Sequence, residues 1–78
     1  SEEIGLASNV VAVGERVLVL MESGIECVVR CWTSTGILLG TENLTEGGEL
    51  TITPQQQGVY VLDIEQGGKR TLQKIVIK

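Results

Sequence analysis

Turn-forming residues interrupt this chain at intervals too short for helices. Six clusters rich in Gly, Ser, Thr or Pro divide it, at residues 14–15, 22–24, 33–36, 46–48, 54–58 and 67–68. The segments between them have the usual length of β-strands. No window keeps apolar residues at helical spacing for three turns. The spacing of the turns therefore predicts an all-β fold with essentially no helix.

Composition agrees with this prediction, because Val, Ile and Thr together number 24 while Ala numbers 2. Residues 9–78 are predicted to form one domain, and residues 1–8 a linker or a short edge strand over Ile4–Ala7. Seven further strands are predicted at Val10–Val13, Arg16–Met21, Glu26–Trp32, Ile37–Asn43, Glu49–Thr53, Val59–Glu65 and Thr71–Ile77.

Alternation of apolar and polar residues assigns the faces of the last two strands. It places Tyr60, Leu62 and Ile64 in the core and Val61, Asp63 and Glu65 on the opposite face. It likewise points Ile75 and Ile77 inward, and leaves Val76 exposed among outward lysines. The segment Arg16–Met21 is almost continuously apolar, so the pattern leaves open which of its residues face the core.

The strand and turn spacing favours two packed antiparallel sheets, because parallel pairing would require helical crossovers for which the chain has no room. An immunoglobulin-like antiparallel β-sandwich of about seven strands is the leading architecture. A small closed barrel is the alternative.

The residues that are missing or scarce exclude several functions. Without His there is no His-dependent triad and no imidazole metal ligand. The net charge is −4, and six basic residues scattered along the sequence give no positive stripe for nucleic acid. Only Trp32 and Tyr60 are aromatic, which disfavours a carbohydrate-binding platform. We therefore expect neither an enzyme nor a metal or organic cofactor.

Cys27 and Cys31 are the two thiols of the chain. Four residues along a strand separate their Cα atoms by about 13 Å, whereas a disulfide requires less than about 7 Å. Both share a face with Val29, so we expect two buried, reduced cysteines. The alternatives are a metal or redox pair, or pairing between molecules.

The other candidate sites have simple structural interpretations. Three acidic residues lie around Gly47 and Gly48; they are Glu42, Glu46 and Glu49. We expect a solvated hairpin turn there and not a calcium loop, because the alternating Asp and Asn ligands are missing. Alternation places Trp32 on the opposite face of the predicted strand from the cysteines, and we expect it to pack on a sheet. Three serines have no general base to activate them; they are Ser8, Ser23 and Ser34.

Three stretches carry a resemblance to a known family. They are the turn Thr33-Ser34-Thr35-Gly36 followed by Ile37-Leu38-Leu39, the run Leu50–Pro54 leading to Gly58-Val59-Tyr60-Val61, and the closing Lys74-Ile75-Val76-Ile77-Lys78. In order and spacing they resemble the C-terminal sorting domain of type IX secretion cargo in Gram-negative bacteria. The chain differs from that pattern at Val13–Arg16, where the family often carries a Tyr-Pro-Asn-Pro-like turn.

The resemblance implies a non-enzymatic secretion signal. Similar domains direct their parent proteins from the periplasm through the type IX translocon to the outer membrane, the cell surface or the medium. The implied partners are translocon components, the outer-membrane sortase and shuttle proteins, and anionic lipopolysaccharide through the attachment machinery. The implied recognition residues are Gly58, Tyr60, Lys74, Ile75, Val76, Ile77 and Lys78. The competing interpretation is a passive immunoglobulin-like adhesion or spacer domain of a surface protein.

Overall fold

The computed structural model describes residues 5–6, 8–45, 48–50 and 56–78, and in these ranges it contains strands and turns but no helix. The predicted all-β class is therefore confirmed. The eight strands are β1 (Gly5–Leu6), β2 (Val10–Val11), β3 (Val17–Leu20), β4 (Cys27–Thr33), β5 (Leu38–Leu44), β6 (Gly48–Leu50), β7 (Gly58–Gln66) and β8 (Lys69–Ile77). The short strand predicted within Ile4–Ala7 is present as β1. Residues 51–53 of the strand predicted at Glu49–Thr53 lie outside the described residues.

The strands form two sheets, one in the order β1-β3-β6 and the other in the order β2-β8-β7-β4-β5. Every pair is antiparallel except β2 and β8, which run parallel with Val10 opposite Val76 and Val11 opposite Ile77. The prediction of purely antiparallel sheets is therefore wrong. A helical crossover is not needed here, because five strands lie between β2 and β8 in the sequence and make the connection.

Side chains from both sheets form one hydrophobic core. Its fully or nearly buried members are Val17, Val19, Met21, Cys27, Val29, Cys31, Tyr60, Leu62, Ile64, Ile75 and Ile77. The predicted inward faces of β7 and β8 are thus confirmed. In β3, which the pattern left unassigned, Leu18 and Leu20 remain 48% and 45% exposed. Strand β3 is therefore covered on one face only.

Gln66, at the end of β7, holds the turn between β3 and β4. Its side-chain Nε2 donates to the carbonyl oxygens of Glu22 and Ile25, both at 2.7 Å, and its Oε1 accepts from the Glu22 N–H at 2.8 Å. The side chain is buried, so these bonds satisfy an amide that would otherwise be costly to remove from water. Sequence analysis assigned no role to Gln66.

Candidate recognition strand

Parts of two of the stretches that carry the family resemblance lie side by side in the sheet. In the β7–β8 pair Gly58 is opposite Ile77, Val59 is opposite Val76, and Tyr60 is opposite Ile75. Six of the seven residues predicted for recognition therefore lie at the start of β7 or the end of β8, and the seventh, Lys78, directly follows β8. We call this two-stranded unit the recognition strand pair: residues 58–60 of β7, residues 74–77 of β8, and Lys78 directly after β8.

Tyr60 joins the start of β7 to the segment before it. Its hydroxyl donates to the carbonyl oxygen of Gln56 at 2.9 Å, while its ring is part of the core. Gly58 lies between them with φ of +152°, where side chains are disfavoured. A Cβ at Gly58 would lie 3.7 Å from Tyr60 Cε1, an ordinary contact, so the requirement for Gly comes from the backbone.

Strand β8 has one buried and one outward face. Ile75 and Ile77 are 1% and 2% exposed, whereas Lys74 and Lys78 lie at the surface. Val76, which was predicted to be exposed, is half-buried. The reason is its position between two apolar cross-strand neighbours, Val59 on β7 and Val10 on β2.

Backbone bonds from the region of β2 fix the end of β8. The Val76 N–H donates to the Asn9 carbonyl at 2.8 Å, and the Lys78 N–H donates to the Val11 carbonyl at 2.8 Å. The Val13 N–H in turn donates to the Lys78 carbonyl at 3.1 Å. The backbone at Val76 and Lys78 is therefore hydrogen-bonded on the side of β8 that faces β2.

A buried carboxylate lies on the outer face of the five-stranded sheet, the face directed away from the core. Asp63 is 0% exposed, and Arg70 donates two hydrogen bonds to its carboxylate. Nε donates to Oδ1 at 2.9 Å and Nη2 donates to Oδ2 at 2.7 Å. Arg30 lies 3.8 Å from the same carboxylate and 3.2 Å from Glu65. The hydrogen bonds from Arg70 lower the pKa of Asp63, with a smaller contribution from the charge of Arg30.

The predicted outward direction of Asp63 is correct, but its complete burial was not anticipated. Arg70 is opposite Glu65 and therefore diagonal to Asp63 across the hairpin that turns at Gly67 and Gly68. The signal in the sequence was an Asp four residues before Gly67 and an Arg two residues after Gly68, positions that share a face of the hairpin.

Sheet pairing also gathers basic residues that are scattered in the sequence. Four of the six basic residues of the chain belong to the outer face of the five-stranded sheet. Arg30, Arg70 and Lys74 lie in its strands, and Lys78 directly follows β8 on the same alternation. Asp63 and Glu65 offset the two arginines on this face. Lys74 and Lys78 are left as a small basic surface on an acidic chain.

Cys27 and Cys31 are free, buried and on the core face beside Val29, as predicted. Burial raises the pKa of both thiols, which keeps them in the less reactive neutral form. Trp32 lies half-buried on the opposite face of β4, also as predicted.

The remaining candidates show no convergence on a ligand. In the described ranges, no three His, Cys, Asp or Glu side chains are grouped so that they could hold a metal ion. Among the acidic residues considered for calcium, Glu42 is half-buried on β5, Glu46 lies outside the described residues, and the side chain of Glu49 is not described. The Ser8 hydroxyl donates locally to the Val10 carbonyl at 3.1 Å.

Comparison with known proteins gives no assignment. No family model matches the chain, and no curated protein matches its sequence. Within the described residues, no helix is long and apolar enough to span a membrane.

Proposed function

We propose that this chain is a non-enzymatic sorting domain that directs a parent protein through the type IX translocon to the cell surface. The observation that carries the proposal is the recognition strand pair. Two segments that carry the resemblance, Gly58–Tyr60 and Lys74–Lys78, lie together at one end of the β7–β8 pair although 13 residues separate them in the sequence. A translocon or shuttle component could read such a unit as a single surface.

We further infer that the two sheets form an immunoglobulin-like sandwich. The sheet order, with the first, third and sixth strands apart from the others, agrees with a Greek-key arrangement of that class. Tyr60 supports it, because immunoglobulin-like domains commonly carry a Tyr at the start of this strand whose hydroxyl bonds to the backbone a few residues upstream. Two features differ from antibody domains, which have a disulfide between the sheets and a buried Trp packed against it. Here no disulfide joins the described strands, and Trp32 lies on the outer face of β4.

The proposal places the domain in the periplasm during transit and at the outer membrane, cell surface or medium afterwards. Its partners would be translocon, sortase and shuttle proteins, and the outward lysines would suit anionic lipopolysaccharide at the attachment step. The domain itself would contribute recognition and no chemistry.

The direct test is an export assay. A reporter enzyme with its own periplasmic signal peptide is fused in front of this chain and expressed in a bacterium with a type IX system and in its translocon-deficient mutant. We expect the reporter at the surface or in the medium of the first strain and in the periplasm of the second. Retention in the periplasm of both strains, with the domain folded, would show that the proposal is wrong.

Removing Lys74–Lys78 is not a clean test, because it deletes Ile75 and Ile77 from the core. Truncating either to Ala costs about 2 to 5 kcal/mol, which is enough to unfold a domain of this size. A substitution of Lys74→Glu leaves the core intact, and Lys69→Glu on the same strand is the matched control. We expect the first to reduce export and the second to leave it unchanged.

A flexible tail added after Lys78 separates sorting from the passive spacer function. Sorting that depends on the closing strand should be impaired by the tail, whereas a spacer should tolerate it. Resistance of the folded domain to protease, measured on both fusions, checks that the tail has not unfolded the protein.

A further inference from the structure

We propose that the open edge of β8 between Arg70 and Lys74 binds an extended, acidic segment of a partner protein, which adds to the sheet as another strand. This inference deepens the proposed function, on which it rests for the identity of the partner. The binding experiment below does not depend on export.

The backbone direction of β8 defines this edge. The N–H groups of Val76 and Lys78 point toward β2, where they bond to Asn9 and Val11. Successive residues of a strand direct their backbone groups to opposite sides, and β8 pairs with β7 without a register shift. The backbone groups of Arg70, Leu72 and Lys74 therefore point to the same side as those of Val76.

Strand β2 covers only the end of this side. Its register with β8 is limited to Val76 and Ile77, and before that point the chain has crossed to the other sheet, where β1 pairs with β3. Within the described ranges no strand pairs with residues 70–74 along the β2 side. The edge is about 13 Å long at the usual rise of a strand, which suits a five-residue segment.

The inner side of the edge is supported by the fold. Gly5 of β1 lies against Gln73, so closely that a Cβ at Gly5 would be 2.8 Å from Gln73 Oε1. Strand β1 therefore packs behind β8 at this point. An added strand would therefore pair with a part of β8 that β1 contacts on its inner face.

The side chains along the edge determine which segment fits. Leu72 is 62% exposed, and Arg70 and Lys74 flank it on the outer face. Lys74 has no ion pair among the described residues, and Arg70 keeps its bonds to Asp63 while 61% of its side chain stays exposed. Carboxylates opposite Arg70 and Lys74, with an apolar residue opposite Leu72, would complement this pattern.

The same charges disfavour a second copy of the chain. If two β8 edges paired antiparallel about Leu72, Arg70 of each would lie opposite Lys74 of the other. Like charges directly opposite each other destabilise a strand pair, and basic residues on an edge commonly prevent such self-association. The edge therefore selects a strand of opposite charge.

A symmetrical peptide provides the probe. Acetyl-Thr-Glu-Thr-Val-Thr-Glu-Thr-amide places Val opposite Leu72 and Glu opposite Arg70 and Lys74 in either strand direction. The control peptide carries Lys in place of both Glu. Both are titrated into the ¹⁵N-labelled chain, with amide shifts and hydrogen exchange as the readout.

In the free chain we expect the amides of Leu72 and Lys74 to exchange rapidly, while those of Thr71 and Gln73 are protected. The acidic peptide should shift and protect the amides of Leu72 and Lys74. The affinity of the basic peptide should be lower by a factor of about ten or more. Failure of the acidic peptide to bind up to its solubility limit would overturn the proposal, as would equal binding of both peptides or shifts located at another edge.

Two variants test the geometry and the charge separately. Leu72→Pro removes an outward N–H without removing a bond to β7 and should abolish binding. Lys74→Glu leaves one positive and one negative side chain on the edge and should remove the preference for the acidic peptide, while Lys69→Glu should leave the original preference. An unchanged preference in Lys74→Glu refutes the charge complementarity even if Leu72→Pro does not fold. Binding of the acidic peptide together with failed export would instead refute only the type IX assignment.

Discussion

Replacing Gln66 by Met should destabilise the protein far more than its place at the end of a strand suggests. Met keeps the length and packing of the side chain but removes three hydrogen bonds of 2.7 to 2.8 Å to Glu22 and Ile25. Each such bond contributes about 0.5 to 1.5 kcal/mol. Water can reach part of the turn, because Glu22 and Ile25 are themselves exposed. We therefore expect a loss of about 2 to 3 kcal/mol.

Urea denaturation measures this loss directly, as a lower midpoint with an unchanged slope. The melting temperature should fall by about 10 to 20 °C, since about 1 kcal/mol corresponds to about 4 to 8 °C in a domain of this size. Gln57→Met is the matched control, because Gln57 is exposed, and it should change stability by less than about 0.5 kcal/mol. Equal midpoints for the two variants would refute the claim that Gln66 holds the turn.

Three further predictions concern single groups. Tyr60→Phe keeps the ring and loses the bond to the Gln56 carbonyl, so chemical denaturation should show a loss of about 1 kcal/mol; no loss would mean that the hydroxyl does not stabilise the corner. The lowered pKa of Asp63 gives stability that is present above its ordinary pKa of 3.8 and lost as the pH falls through the native value. Unfolding curves below pH 4 should therefore be less steeply pH-dependent in Asp63→Asn. The raised pKa values of Cys27 and Cys31 predict that the stability of the folded chain falls as the pH rises above 9.0. A thiol reagent should label both cysteines only on unfolding, and rapid labelling of the folded chain would contradict their burial.

The faces of β7 and β8 were predictable because their burial follows the simple alternation of a sheet with one covered side. Tyr60, Leu62 and Ile64 alternate with less apolar residues, and the structure buries all three. Strand β3 gave no such signal, because Leu18 and Leu20 are as apolar as the buried Val17 and Val19. Only the tertiary arrangement, in which the second sheet covers one side, separates the two pairs.

Other features depended on contacts between distant parts of the chain. The parallel pairing of β2 with β8 joins opposite ends of the sequence, and two-residue strands carry no readable period. Gln66 bonds to a turn more than 40 residues earlier. Asp63 is covered by an arginine from the neighbouring strand, and strand alternation predicted its direction but not that cover. Pattern analysis fixes which side a residue faces but not what lies there.

The same distinction determines which recognition residues are informative. Tyr60, Ile75 and Ile77 are buried, so substitutions there would impair export through loss of folding whether or not a receptor contacts them. Lys74 and Lys78 are exposed, and a change of charge at these positions costs little stability. A partner that recognises this part of the folded domain would therefore contact the outward side chains of β8, or the backbone groups with which no described strand pairs. If every defect in export followed stability alone and Lys74→Glu exported normally, β8 would be a structural strand and recognition would have to lie elsewhere.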